Sequence, residues 1–227
     1  MSDDSSPRIP LDPPSVVRMA QESVRHSILS GDIEAGARLI EERLCARLGI
    51  SRPPLREALR LLEREGLVVA RPRRGWQVVT LTGGDVHELV TLRSGLERLA
   101  VQWGVPVRDH ALLEDARAAL ESMERCAATQ DRAGLTAAGR AFHIGLVAVA
   151  GNRRLVDTYT SVVDQLSLCM ARNLYVRERL YEDLPTHVRR HRHLLELVEA
   201  GSPDAVLAEL AVHGERSFLG ESSEDAP

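Results

Sequence analysis

The sequence predicts a mainly α-helical protein in two unequal parts: three short helices followed by a β-hairpin, then an all-helical bundle of about six to seven helices. Three observations predict it. Apolar residues recur at helical spacing through most of the 227 residues. The one clear change of period, to short β-prone runs, falls between residues 67 and 79. Glycine and proline breaks cut the remainder into helix-length pieces.

Residues 1–14 hold four prolines and no periodicity, and read as a disordered tail. Val17, Ala20, Val24 and Ile28 then mark a helix that stops at Gly31. After a loop, Arg38-Leu39 leads into a short helix over 41–48, closed by Gly49. Ser51 is placed to N-cap a third helix, with Pro53 and Pro54 in its first turn and Leu55, Leu59 and Leu62 on its buried face. The runs 67–70 and 76–79 flank Arg71-Pro72-Arg73-Arg74-Gly75 and read as a hairpin with a basic tip. These elements make a unit over 15–80. Residues 81–84, with Gly83-Gly84, read as a linker, and 85–219 as an all-helical domain. Its helices are expected over 85–103, 109–127, 132–149, 153–173, 186–200 and 203–218, with 220–227 a second disordered tail.

Composition removes several chemistries. All 29 basic residues are arginine and none is lysine. That excludes a Schiff-base lysine, a GxxxxGK[ST] phosphate loop and an SxxK nucleophile pair. The three cysteines, Cys45, Cys126 and Cys169, lack CxxC spacing, so no disulfide framework or thiolate metal knuckle is expected. No apolar run approaches the length of a membrane span, and the acidic, proline-rich start is unlike a signal peptide, so a cytoplasmic protein is expected. The net charge of −4 hides an asymmetry: residues 15–80 carry 12 arginines against 8 acids, a balance of +4, while 81–227 carry −6. Only the front part is suited to approach phosphate.

The pair of helices around Leu48-Gly49-Ile50-Ser51 is a helix-turn-helix pattern. Arg52 and Arg56 stand one turn apart at the start of the third helix, where a recognition helix presents side chains to base edges, and arginine suits guanine O6 and N7. The basic hairpin follows as a wing would, its arginines suited to phosphate or minor groove. The bland alternative is a solvated face paired with Glu57 and Glu63. The string Arg38-Leu39, Leu44, Leu48-Gly49-Ile50-Ser51-Arg52-Pro53-Pro54-Leu55-Arg56-Glu57-Ala58-Leu59, then Gly66-Leu67 and Arg73-Arg74-Gly75, resembles the winged helix of GntR-family bacterial transcription regulators. The resemblance implies contacts to double-stranded DNA from Arg38, Ser51, Arg52, Arg56 and the wing of Arg73, Arg74 and Gly75. Pro53 departs from the Thr or Ser usual there, so one hydroxyl contact is missing.

In the helical part, histidines fall on apolar stripes. His143 lies with Leu135, Gly139, Phe142 and Leu146, His191 with Val188, Leu195 and Val198, and His213 follows Val206 and Leu210. Each alone reads as a satisfied core residue; three converging are able to share a divalent metal. His193 should be exposed, and His187, one turn before His191, is an alternative ligand. This half resembles the FCD effector domain of the FadR-type branch, through Asp85, Arg93, Leu96-Glu97, Phe142-His143, Gly151-Asn152, His191, Leu194-Leu195, Gly201 and His213. The resemblance implies a zinc or nickel site on His143, His191 and His213 beneath a cavity for a small carboxylate effector held by Arg93, in a homodimeric regulator, most often a repressor, that reads a pseudo-palindromic operator. Arg93 has a competing reading as a surface ion pair with Glu97. Gly139 replaces the usual Asp ligand four residues before His143, which weakens the expected site. A metal-free pocket for an acyl-CoA or other larger ligand is the alternative within the same class, and a three-histidine metalloenzyme is the alternative outside it; against the latter, no acid is evident beside the ligands as general base.

Overall fold

A computed structural model of the chain describes the backbone over residues 15–180 and 183–217 and the side chains over 15–169 and 183–213. The expected disordered tails, 1–14 and 220–227, lie outside the described residues. Helix α1 (Val16–Leu29) starts at Ser15, whose hydroxyl accepts the Arg18 N–H at 3.3 Å, and buries Ala20, Val24 and Ile28. Helix α2 (Glu41–Leu48) ends at Gly49, whose φ of 65° only glycine adopts without strain, and the turn delivers the chain into α3 (Arg52–Arg64). Leu55, Leu59 and Leu62 of α3 are fully buried against α1 and the sheet.

Strands β2 (Val68–Arg71) and β3 (Gly75–Val78) form the expected hairpin, with Ala70 opposite Trp76 and Arg71 opposite Gly75. A third strand, β1 (Arg38–Leu39), pairs antiparallel with β3 and sets the order β1-β3-β2. Two residues are too few to show a period, so the sequence pattern predicts no strand at Arg38-Leu39.

Residues 82–84 differ from expectation. They are not a linker: Thr82 N-caps a 22-residue helix α4 (Gly83–Gly104), and Gly83 and Gly84 form its first turn. A capping box outweighs the poor propensity of two glycines, for the Thr82 hydroxyl accepts the Asp85 N–H while the Asp85 carboxylate accepts the Thr82 N–H at 2.8 Å. A 3-10 turn (His110–Leu113) precedes α5 (Glu114–Ala128), followed by α6 (Arg132–Ala148), α7 (Arg153–Leu180), α8 (Leu184–Glu199) and α9 (Pro203–Ser217). Helices α5 and α6 approach closely at Gly145, where a Cβ would lie 2.7 Å from the Ala116 backbone nitrogen. Their core joins Met123, Leu135, Phe142, Leu194 and Val206. The front part rests on α7: Leu168 packs against its core, and Arg25 of α1 lies 4.0 Å from the buried Asp164. No helix among the described residues is long and apolar enough to cross a membrane.

Candidate nucleic-acid interface and histidine centre

Arg38, Ser51, Arg52, Arg56, Arg73, Arg74 and Gly75 are all exposed on the front part. The Ser51 backbone occupies the N-cap position of α3, yet its side chain makes no cap hydrogen bond. The reason is local: a capping oxygen takes the N–H of the second or third helical residue, and here both are prolines, Pro53 and Pro54. The proline pair that removes a hydroxyl thus leaves the Ser51 hydroxyl without a helix donor to accept. Arg56 is held by Glu41, Nε to Oε2 at 2.9 Å across the turn, whereas Arg52 has no ion pair among the described residues. Arg60 and Arg64, further along α3, both pair with Glu57, as a solvated face would. Arg43 and Arg47 of α2, not singled out by sequence, border one shallow cleft with Arg38. Their i, i+4 spacing on an exposed face was the available signal.

The wing tip is a turn with Pro72 at its second position and Arg73 at its third, closed by the Arg74 N–H donating to the Arg71 carbonyl at 2.9 Å. Arg73 has φ 62°, a left-handed conformation that costs a side-chain-bearing residue about 1 kcal/mol. Arg73→Gly is therefore expected to stabilise the fold by up to about 1 kcal/mol while weakening DNA binding through loss of one cation. Thermal unfolding and a DNA titration on the same variant check both halves; an unchanged midpoint with unchanged affinity contradicts them.

In the rear part, α6, α8 and α9 bring His143, His191 and His213 together, all buried, each offering a nitrogen within 4.8 Å of the other two. Ring centroids are 5.2 Å apart for His143 and His191, 5.0 Å for His143 and His213, and 4.5 Å for His191 and His213. His187 is also buried, 4.5 Å from the His191 ring, and His193 is exposed as expected. Burial, then the Arg93 charge and His213, pushes the His143 pKa well below its ordinary value; burial, then His187 and His213, does the same to His191. Both are neutral at pH 7, the form that binds metal. The Nδ1 of His191 lies 2.8 Å from the His187 carbonyl oxygen, to which it donates, so the Nε2 lone pair is available.

Arg93 does pair with Glu97, Nε to Oε1 at 2.8 Å, but the pair is inside the protein rather than on its surface, with Arg93 3% and Glu97 5% exposed. Burial would lower the Arg93 pKa, and the charges of Glu97 and Tyr159 more than reverse it. Tyr159 of α7, which sequence reasoning missed, donates its hydroxyl to Glu97 Oε1 at 2.6 Å. Arg93 Nη2 also reaches His143 Nδ1 at 3.3 Å, joining the ion pair to the histidines. A cavity of about 20 Å³ over His143 and Glu97 holds one water-sized group. Glu97 and Leu210 also border a wider opening of about 250 Å³ between α4 and α9, with Arg98 on its wall. Gly139 has open space: a Cβ there would meet only Met123, at 3.7 Å.

An exposed, arginine-tipped recognition helix and wing, chained to a helical bundle with a buried polar centre, is the build of a DNA-binding transcription regulator. Residues 17–78 match the bacterial regulatory proteins of the gntR family and residues 88–216 match the FCD domain, and the chain belongs to the GntR family in its FCD-containing branch. It is 32% identical over 192 residues to the "Uncharacterized HTH-type transcriptional regulator YdhC" of Bacillus subtilis (strain 168), covering 84% of both chains. It is 30% identical over 200 residues to the "Probable D-xylose utilization operon transcriptional repressor" of Paenarthrobacter nicotinovorans, covering 87% of this chain and 84% of that one. A solved GntR structure from Rhodococcus sp. RHA1 superposes with a TM-score of 0.75 at 26% identity, over 88% of this chain and 93% of the other. These relatives are transcription regulators, and the chain is one, not an enzyme.

Proposed function

We propose that this regulator is a cytoplasmic homodimeric repressor whose front unit (15–80) reads a pseudo-palindromic operator and whose helical unit (85–219) answers to a small carboxylate through a divalent metal, zinc or nickel. The observation that carries the reading is the buried cluster of His143, His191 and His213, contributed by three different helices. Three imidazoles suit zinc or nickel. Bond lengths of 2.0–2.1 Å put tetrahedral ligand nitrogens about 3.4 Å apart, so the rings need to close by about an ångström from their present spread. When bound, the metal supplies a fixed positive charge at the floor of the cavity, able to take a carboxylate oxygen.

The chain's own residues do the rest. His187 orients His191 through its carbonyl, Tyr159 and Glu97 hold Arg93 in place, and the opening between α4 and α9 gives a route from solvent to Glu97. Arg93 is the cation for the effector carboxylate. The 20 Å³ cavity admits no carboxylate as it stands, so α9 must shift away from α4 on binding. Such a shift is a structural difference able to reach the DNA-reading part, and the named repressor of a D-xylose operon favours repression and a sugar-derived effector.

Calorimetric titration of the full chain with zinc tests the reading. One metal per chain is expected, abolished in His213→Ala; equal binding by both proteins overturns it. Gly139→Asp, which adds a carboxylate one turn before His143 where space is open, is expected to tighten zinc binding about tenfold or more. An unchanged affinity in that variant contradicts the ligand geometry.

A further inference from the structure

The two histidines whose hydrogen bonds are defined are set in opposite ways. His191 Nδ1 faces a carbonyl oxygen at 2.8 Å, which only accepts, so the proton is on Nδ1 and the Nε2 lone pair is ready for a metal. His143 Nδ1 faces Nη2 of Arg93 at 3.3 Å. A guanidinium has five N–H donors and no lone pair, so here Nδ1 accepts and the neutral ring carries its proton on Nε2. Beside the same Nδ1, 3.9 Å away, also stands Glu97 Oε1, the oxygen that already takes Arg93 Nε at 2.8 Å and the Tyr159 hydroxyl at 2.6 Å. His143 therefore has two alternative neighbours for one atom: a pure donor, close, and a pure acceptor, slightly further.

We propose that a metal in the three-histidine centre and the Arg93–His143 hydrogen bond exclude one another, so that metal binding through His143 Nε2 moves the ring proton to Nδ1, passes that N–H from Arg93 to Glu97, and releases the Nη2 edge of Arg93. The inference rests on the metal reading given above and deepens it. The proton count balances: Nε2 loses one proton to solvent and Nδ1 gains one, so His143 stays neutral. The new Nδ1–H needs an acceptor; Arg93 has none to offer, and Glu97 Oε1 needs to approach by about 1 Å to make the carboxylate-to-histidine bond that ordinarily supports a metal ligand. Arg93 keeps its Nε bond to Glu97 and is not left as an isolated buried charge. Its freed edge is the donor a carboxylate effector requires, which orders the events: the metal first, the carboxylate second. Arg93 is thus a positioning residue for the metal-free centre and becomes a ligand-binding residue only in the loaded one.

The tautomer of His143 is readable directly by two-bond 1H–15N correlation on the full chain with labelled histidine, assigned with His143→Gln. The expected result is an Nε2–H ring in the metal-free protein and an Nδ1–H ring after addition of one equivalent of zinc. An Nδ1–H ring in the metal-free protein, or an Nε2–H ring that persists with zinc bound, overturns the proposal. Zinc affinity gives a second sign: Arg93→Met removes the competitor and is expected to bind zinc about tenfold more tightly, whereas a residue that merely supports the ligand would weaken binding when lost. Weaker zinc binding by a folded Arg93→Met protein also overturns the proposal. The metal reading fails separately, when His213→Ala binds zinc as the unaltered chain does. Loss of zinc in His213→Ala with a His143 tautomer indifferent to zinc keeps the metal and sinks only the switch.

Discussion

Arg52→Ala is expected to abolish sequence-specific DNA binding while leaving the fold intact. Arg52 is the first residue of α3, exposed and without an ion pair among the described residues, so aiming it at a base edge breaks nothing in the protein. Arg56, one turn on, starts from a 2.9 Å contact with Glu41 that must be given up or kept at the expense of DNA. A bidentate arginine–guanine contact discriminates by about 1–3 kcal/mol, and the proposed two-fold reader would make it twice, so on a palindromic site the variant is expected to lose about 2–6 kcal/mol. The salt dependence distinguishes its role from that of the wing. Loss of a base contact flattens sequence preference with little change in slope, while Arg74→Ala should weaken all sequences alike and reduce the slope by about one unit per site. Fluorescence anisotropy on DNA selected in vitro by the unaltered protein measures both. Unchanged affinity and preference in Arg52→Ala would remove α3 from the recognition role.

Acid is expected to destabilise the helical part steeply, starting near pH 6.5. His143 and His191 are buried neutral, with pKa values held well below the ordinary 6.5 by burial first and by neighbouring charge second. Below pH 6.5 the unfolded chain binds protons at these rings and the folded chain does not. Stability is then full above the unfolded pKa and falls as pH falls, until the folded values are reached. Each ring approaches a slope of about 1.4 kcal/mol per pH unit once its unfolded form is fully protonated, so the pair costs about 2 kcal/mol between pH 6.5 and 5.5. Urea unfolding of the metal-free protein at pH 7.5, 6.5 and 5.5 should show a nearly flat upper interval and a steep lower one. Equal stability at 6.5 and 5.5 would mean that the rings are charged or solvated in the folded state.

How much of this was legible in the sequence depended on whether the signal was periodic. The stripes Val24 and Ile28, Leu55, Leu59 and Leu62, and those carrying the three histidines repeat at the helical period, so both the helices and the inward direction of the rings were readable. Strand β1 was not, being two residues long and defined only by its partner β3. Thr82-Gly83-Gly84 reads as a linker by composition and becomes a helix start through side-chain hydrogen bonds that composition does not carry. Arg93 and Glu97 show the same limit in the site: an i, i+4 pair reads alike on a surface and in a core, and only the packing of α7, with Tyr159, puts it inside. Ser51 occupies the N-cap position that its residue type suggests, but a cap bond requires N–H groups on the second and third residues after it, and both are prolines.

The DNA-reading part is expected to respond to what occupies the histidine centre, and the affinity for selected DNA with and without zinc measures that response. Chelated and zinc-loaded protein are expected to differ in DNA affinity by at least about fivefold, the lower end of ordinary coupling between sites, and His213→Ala is expected to show no difference. Equal affinities for chelated and zinc-loaded protein, in a chain that calorimetry shows to bind zinc at these histidines, would contradict it.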